Sequence, residues 1–202
     1  MEYLVTMTTH VPDGTSDQTV EDTKAREAVH SAELVAQGHL LRLWRPPLGP
    51  GEWRTLGLFA ADGADELEKV LASMPLRIWR SDEVTPLAPH PNDPGARGRA
   101  PLAVEYLIRM TIRVPEGTPE ATVQDTEMRE AQRARELAGQ GHLMRLWMLS
   151  AGSGPTRALG LWSADDAAGM RAVVESLPVY GWMTVETTPL SPHPSDPALT
   201  QG

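Results

Sequence analysis

The stretch Gly38-His39-Leu40-Leu41-Arg42-Leu43-Trp44 is answered 103 residues later by Gly141-His142-Leu143-Met144-Arg145-Leu146-Trp147. Outward from it the match continues at the same offset. Glu2-Tyr3-Leu4 lies over Glu105-Tyr106-Leu107, Met7-Thr8 over Met110-Thr111, and Pro89-His90-Pro91 over Pro192-His193-Pro194. Roughly half of the overlaid positions are identical, without a gap. A repeat of this length is a domain-sized unit, not one turn of a solenoid. The boundaries read as a first copy at 1–88, a Pro/Gly/Ala linker at 89–103, a second copy at 104–191 and a tail at 192–202.

Within one copy, Tyr3, Val5, Met7, Thr9 and Val11 alternate with more polar residues. Their counterparts Tyr106, Ile108, Met110, Ile112 and Val114 are wholly apolar, as one buried face of a strand requires. Pro12-Asp13-Gly14 turns the chain. From Thr19 to Gln37, Val20, Thr23, Ser31 and Leu34 recur at helical spacing, and Gly38 sits where a helix takes a left-handed closing residue. Strands are expected at His39–Arg45, Trp53–Ala60 and Ile78–Thr85. A second helix is expected at Asp62–Ser73, with Asp62 or Asp165 as N-cap. The Pro/Gly-rich loop between the second and third strands, 46–51 and 149–154, is where the copies differ most. The order β-α-β-β-α-β is the ferredoxin-like arrangement of the α+β class. Such a unit leaves one sheet face bare, so the two copies are expected to pair as an intrachain dimeric α/β-barrel.

The chain has 202 residues and a formal net charge of −9, which argues against nucleic acid or an anionic membrane as the main partner. It has no cysteine, which excludes disulfides, thiolate metal sites and cysteine nucleophiles. The first residues do not read as a signal peptide and no apolar run approaches a bilayer span, so the cytoplasm is the default expectation. No glycine-rich phosphate loop, GxSxG or HExxH occurs, and no histidine spacing supports a metal site.

Glu27 lies four residues from Thr23 and Ser31 and seven from Val20 and Leu34, on the helix stripe that faces the sheet. Glu130 is its counterpart. A carboxylate there either pairs with a nearby arginine or, desolvated, becomes a general base. His39 and His142 open the second strand as proton-moving or structural residues. Strict alternation places Leu40, Arg42 and Trp44 on one face and His39, Leu41 and Leu43 on the other. Arg42 with Trp44, and Arg145 with Trp147, are therefore candidates for gripping a substrate carboxylate, or else for an ion pair with Glu2 or Glu105. His90 and His193 read as weaker features that anchor the tail. Trp79 and Trp182 read as core.

Met7-Thr8, Lys24-Ala25-x-Glu27, Gly38 with Leu43-Trp44-Arg45, Met74-Pro75-Leu76 and the closing His90-Pro91 together resemble the muconolactone Δ-isomerase family. The resemblance covers essentially the whole of each copy, as in a tandem fusion. It implies a cofactor-free isomerase that moves a double bond in an unsaturated lactone acid, in aromatic catabolism. It also implies a small-molecule substrate and a homo-oligomer of the tandem chain. On the family's Lys-x-x-Glu, Lys24 becomes the cation and Glu27 the base. Where the family's second strand resembles Trp-Arg-His-Leu-Trp-Arg, this chain has Leu40-Leu41-Arg42-Leu43-Trp44-Arg45, so Arg42 or His39 has to substitute. In the second copy Lys24 becomes Glu127 and Arg45 becomes Met148. That half is then either structural or directed to a less anionic substrate. Two further readings stay open: a cyclase or cofactor-free monooxygenase of the same fold, and a non-catalytic ligand-binding or assembly module.

Overall fold

The structure is a computed structural model that describes residues 1–95, 104–149 and 156–199. Most of the expected linker (96–103), the second copy's loop (150–154) and the last tail residues (200–202) lie outside the described residues. The chain forms an α+β protein of eight strands and four helices, divided into two compact units. Unit 1 comprises Met1–Leu87 together with Ser191–Gly202, and unit 2 comprises Ala88–Leu190.

Unit 1 contains β1 (Glu2–Thr9), α1 (Asp17–Ala36), β2 (Leu40–Arg45), β3 (Arg54–Ala60), α2 (Ala64–Ser73) and β4 (Arg80–Pro89, of which the unit holds the part to Leu87). β1 pairs antiparallel with β3 and β4, and β2 pairs with β3, giving the ferredoxin-like order β4-β1-β3-β2. The alternation expected in β1 is present: Tyr3, Val5 and Met7 are buried in the cluster with Leu34, Leu67 and Leu71 of the helices. Each such side chain contributes about 1.5–3 kcal/mol by leaving water. Gly57 has no side chain because Phe59 and Met7 occupy the space a Cβ would need.

α1 starts two residues before the expected Thr19, since the Ser16 hydroxyl accepts the Thr19 N–H at 3.2 Å and caps it. Gly38, at φ +78°, closes the helix. The Gly38 N–H reaches the Val35 carbonyl at 3.0 Å and the His39 N–H the Leu34 carbonyl at 2.9 Å, a Schellman ending that turns the chain into β2.

Three local expectations are corrected. The strict alternation of β2 fails because the ladder shifts register between Leu40 and Arg42. That bulge puts Leu40 and Leu43, three residues apart, into one core cluster. Neither Asp62 nor Asp165 caps a helix. α2 starts after Gly63, while Asp166 accepts the Gly169 N–H at 2.7 Å to cap the corresponding helix of unit 2. Finally, a 3-10 turn over Pro75–Trp79 delays β4 to Arg80, and the strand runs on through Pro89 into residues expected as linker.

Unit 2 repeats the plan with β5 (Val104–Ile112), α3 (Glu120–Gly139), β6 (Leu143–Leu149), β7 (Thr156–Ala164), α4 (Ala167–Glu175) and β8 (Met183–Pro192, of which the unit holds the part to Leu190). β5 pairs with β7 and β8, and β6 with β7. The same bulge recurs between Leu143 and Arg145. Trp162 fills the core beside Ile108, whereas Trp79 and Trp182 are only half-buried.

Candidate functional site

In unit 1 a cavity of about 440 Å³ opens between α1, the sheet and the tail segment. Its floor is apolar, from Met7, Leu43, Met74 and Leu76, and Trp53 forms part of the wall. Lys24 and Glu27 of α1, Arg45 of β2, Arg54 of β3, Arg80 of β4 and His193 of the tail supply the polar groups. An apolar pocket with a few convergent polar groups is the usual form of a small-molecule site.

Glu27 is the centre of this set. Its side chain is 12% exposed. Oε2 accepts the Leu76 N–H at 2.8 Å, and Oε1 lies 3.3 Å from Nη1 of Arg80. Burial pushes its carboxyl above the ordinary carboxylate value, and prevails over the Leu76 N–H and the Arg80 guanidinium, which pull it down. The arginine is shared. Arg80 Nε lies 2.6 Å from Asp82 Oδ1, and Arg77 holds the same aspartate through Oδ2 at 2.6 Å. With Arg80 and Asp82 both nearly inaccessible (2% and 3%), Arg80 is a fixed positive charge behind Glu27.

Lys24 stands over the Trp53 ring at 5.2 Å, and its ammonium also meets Glu21 at 2.8 Å. Arg45 is exposed at the rim and has no ion-pair partner among the described residues.

The tail enters through a clasp on β2. Ser191 and Pro192 pair with Arg45 and Trp44, and the His193 N–H donates to the Leu43 carbonyl at 3.1 Å. Nδ1 of His193 accepts the Ser195 N–H at 3.1 Å, so the neutral ring carries its proton on Nε2. Burial, reinforced by the Arg45 charge, lowers this imidazole to about 4 against the opposing pull of Asp196.

The other residues singled out in sequence lie elsewhere. His39 bonds the Ala60 carbonyl through Nδ1 at 3.0 Å, and His142 bonds the Ser163 carbonyl at 2.8 Å; each ties a helix end to a neighbouring strand. Arg42 holds Asp196 and stacks over Trp44 at 4.7 Å, with Trp44 itself buried. Arg145 lies over Trp147 at 4.8 Å and binds Asp93 at 3.3 Å. The cavity of unit 1 thus gathers Lys24 and Glu27 but not His39, Arg42 or Trp44. It adds Arg45, Trp53, Arg54, Arg80 and His193, which the sequence had not marked as site residues. One signal was available: Arg45, Trp53 and Arg80 all change between copies, to Met148, Thr156 and Met183.

In unit 2, Glu130 keeps the helical position, and its Oε2 accepts the Val179 N–H at 3.3 Å. Burial raises its carboxyl too, and only that N–H opposes the rise, since Met183 and Val185 stand where unit 1 has Arg80 and Asp82. His90 repeats the posture of His193, its Nδ1 accepting the Asn92 N–H at 3.0 Å. Among the described residues no group of three or more histidines, aspartates or glutamates is arranged to hold a metal ion. No described helix is long and apolar enough to cross a membrane.

Two ferredoxin-like units in one chain, the first with a helix-borne carboxylate at an apolar cavity, make up this α+β protein. The family model described as Muconolactone delta-isomerase matches residues 1–93 and again 104–196, so the chain belongs to that family, twice over. The Muconolactone Delta-isomerase of Cupriavidus pinatubonensis is 34% identical over 92 residues, spanning 46% of this chain and 97% of that protein. Muconolactone Delta-isomerase 1 of Acinetobacter lwoffii is 32% identical over 92 residues, covering 46% and 93%. Among solved structures, a heme-binding protein from Thermus thermophilus superimposes with a TM-score of 0.60 at 14% identity, covering 100% of this chain and 95% of that one. A mutant chlorite dismutase from Candidatus Nitrospira defluvii gives 0.58 at 9% identity, covering 98% and 94%. At these identities the likeness is one of fold alone.

Proposed function

We propose that unit 1 is a cofactor-independent isomerase that shifts a double bond in an unsaturated lactone bearing a carboxylate. The observation that carries this reading is Glu27: a buried carboxylate with a raised pKa that faces a cavity rimmed by Lys24, Arg45 and Arg54. Desolvation strengthens it as a base, while Arg80 keeps enough of it ionised to act near neutrality. Glu27 takes a proton from a ring carbon, and the electron pair moves through the double bond onto the lactone carbonyl oxygen as a dienolate. The protonated Glu27 then returns the proton to a different carbon, so no atom or electron is gained or lost. Lys24 and Arg45 hold the substrate carboxylate, and the apolar floor excludes water from the dienolate. Family membership and the isomerase names of the relatives support the assignment.

Unit 2 does not turn over the same anion in this reading. With Glu127 and Met148 in place of Lys24 and Arg45, unit 2 has lost the two cations assigned to the substrate carboxylate, while Arg157 keeps the place of Arg54. The acting protein is taken to be an assembly of tandem chains working on a small molecule. The test is turnover of muconolactone by ultraviolet absorbance, with Glu27→Gln and Glu130→Gln assayed beside the parent chain. Absence of turnover in the parent protein removes this substrate.

A further inference from the structure

The proposed reaction places negative charge on a carbonyl oxygen, and catalysis requires a donor aimed at that charge. Lys24 and Arg45 are assigned to the carboxylate, and Arg80 is engaged by Glu27 and Asp82. Arg54 lies 3.9 Å from Glu52, which leaves His193 among the titratable groups that line the cavity. His193 reaches unit 1 from the end of the second copy, 166 residues beyond Glu27 in the chain, and lines the same cavity.

Its attachment is specific. The backbone N–H of His193 is held by Leu43, its Nδ1 by the Ser195 N–H, and the segment behind it by Asp196. Asp196 is fully buried and takes the Leu43 N–H at 3.2 Å as well as the Arg42 guanidinium. With Nδ1 occupied as an acceptor, the only hydrogen the neutral ring can present is on Nε2.

We infer that His193 acts as a neutral hydrogen-bond donor, through Nε2–H, to the dienolate oxygen formed when Glu27 removes the substrate proton. This inference rests on the reading of the unit 1 cavity as an isomerase site. It makes the second copy's tail part of the first copy's machinery. It also excludes His193 as an imidazolium acid or proton shuttle: the ring stays uncharged at working pH, and no proton leaves it. A neutral imidazole is matched to an enolate because it stabilises the oxygen without protonating it.

The test combines imidazole NMR with kinetics on the full chain. Nitrogen-15 spectra are expected to show His193 as the Nε2–H tautomer from pH 8 down to pH 5. Tetronic acid, a five-membered lactone enolate at neutral pH, should shift that Nε2 proton downfield. His193→Ala should lower kcat about a hundredfold with KM changed little, the pattern of an interaction made in the transition state. His193→Gln, whose amide N–H can stand near Nε2, should recover about tenfold of that loss. An imidazolium at pH 6, an Nδ1–H tautomer, no response to tetronate, or wild-type kcat in His193→Ala would each overturn the inference. A parent protein that binds tetronate through His193 but turns over no muconolactone would uphold the donor and remove the isomerase assignment.

Discussion

Arg42 and Asp196 are 154 residues apart in the chain, yet they form a two-pronged ion pair. Nε meets Oδ1 and Nη2 meets Oδ2, each at 3.0 Å. A residue that reads as a substrate grip is instead the clasp that seats the tail carrying His193. In unit 2 Arg145 and Asp93 take the same places, with Nε of the arginine 3.3 Å from each carboxylate oxygen. Bidentate pairing fixes geometry as well as charge, which suits a clasp.

Asp196→Ala tests that role. A buried charge stripped of its partner costs about 3–5 kcal/mol when trapped. Here the tail can peel away and let Arg42 reach water, so the global loss should be smaller. The damage should appear locally: faster amide exchange at 191–196, and a lower kcat as His193 leaves the cavity. Unchanged exchange in that segment would contradict the clasp.

Arg80 is held by Glu27 on one side and Asp82 on the other, all three mostly buried. Arg80→Met introduces the residue of the second copy and leaves the Asp82 charge with Arg77 alone. Urea unfolding should show a loss of about 3–5 kcal/mol. Adding Asp82→Val, which completes the second copy's pair, should restore most of it. A double variant no more stable than the single one would mean that Arg80 and Asp82 are not energetically coupled.

Lys24→Glu likewise imports the second copy's residue into unit 1. Charge-assisted hydrogen bonds contribute about 1.5–3 kcal/mol, so KM for a carboxylate-bearing lactone should rise about ten- to hundredfold. The corresponding neutral ester should be far less affected. Equal effects on acid and ester would remove Lys24 from carboxylate binding.

Two pH dependences follow from the cavity. Glu27 must be ionised to act, so kcat/KM should rise with pH along a limb whose midpoint lies above 4.5, because burial raises this carboxyl. The groups facing His193 are Arg45 on β2 and Asp196 on the tail, with Lys24, Glu27, Arg54 and Arg80 on the surrounding cavity wall. Its imidazole titrates at about 4 when folded and near 6.5 when unfolded. Between those values the unfolded chain binds the extra proton. His193 therefore supports the fold fully above pH 6.5 and loses that support as pH falls toward 4. Urea midpoints of the parent chain should fall more steeply over this window than those of His193→Gln. Parallel curves would contradict a desolvated His193.

Much of the fold was legible in the chain. The period-two pattern of Tyr3, Val5 and Met7 and the closing Gly38 are local signals, and the repeat supplied a second reading of each. The bulge between Leu40 and Arg42 was not legible, because an inserted residue leaves the polar/apolar string looking like an unbroken strand. Glu27 could be found because helix phase and family pattern agree on it, and Lys24 because the family pattern points to it. His193 and Asp196 could not be placed, since their partners Leu43 and Arg42 are about 150 residues away and no periodicity links a tail to a distant strand. The Arg80–Asp82 pair left a trace only as a joint change to Met183 and Val185 between the copies.

The most direct test of the central claim is the ultraviolet assay of muconolactone turnover in Glu27→Gln and Glu130→Gln beside the parent protein. A positioned general base contributes about 10²–10⁴ in rate. Glu27→Gln should lose turnover by that factor while Glu130→Gln keeps the parent kcat. Full activity in Glu27→Gln, or a loss confined to Glu130→Gln, would contradict the assignment of the first unit as the working site.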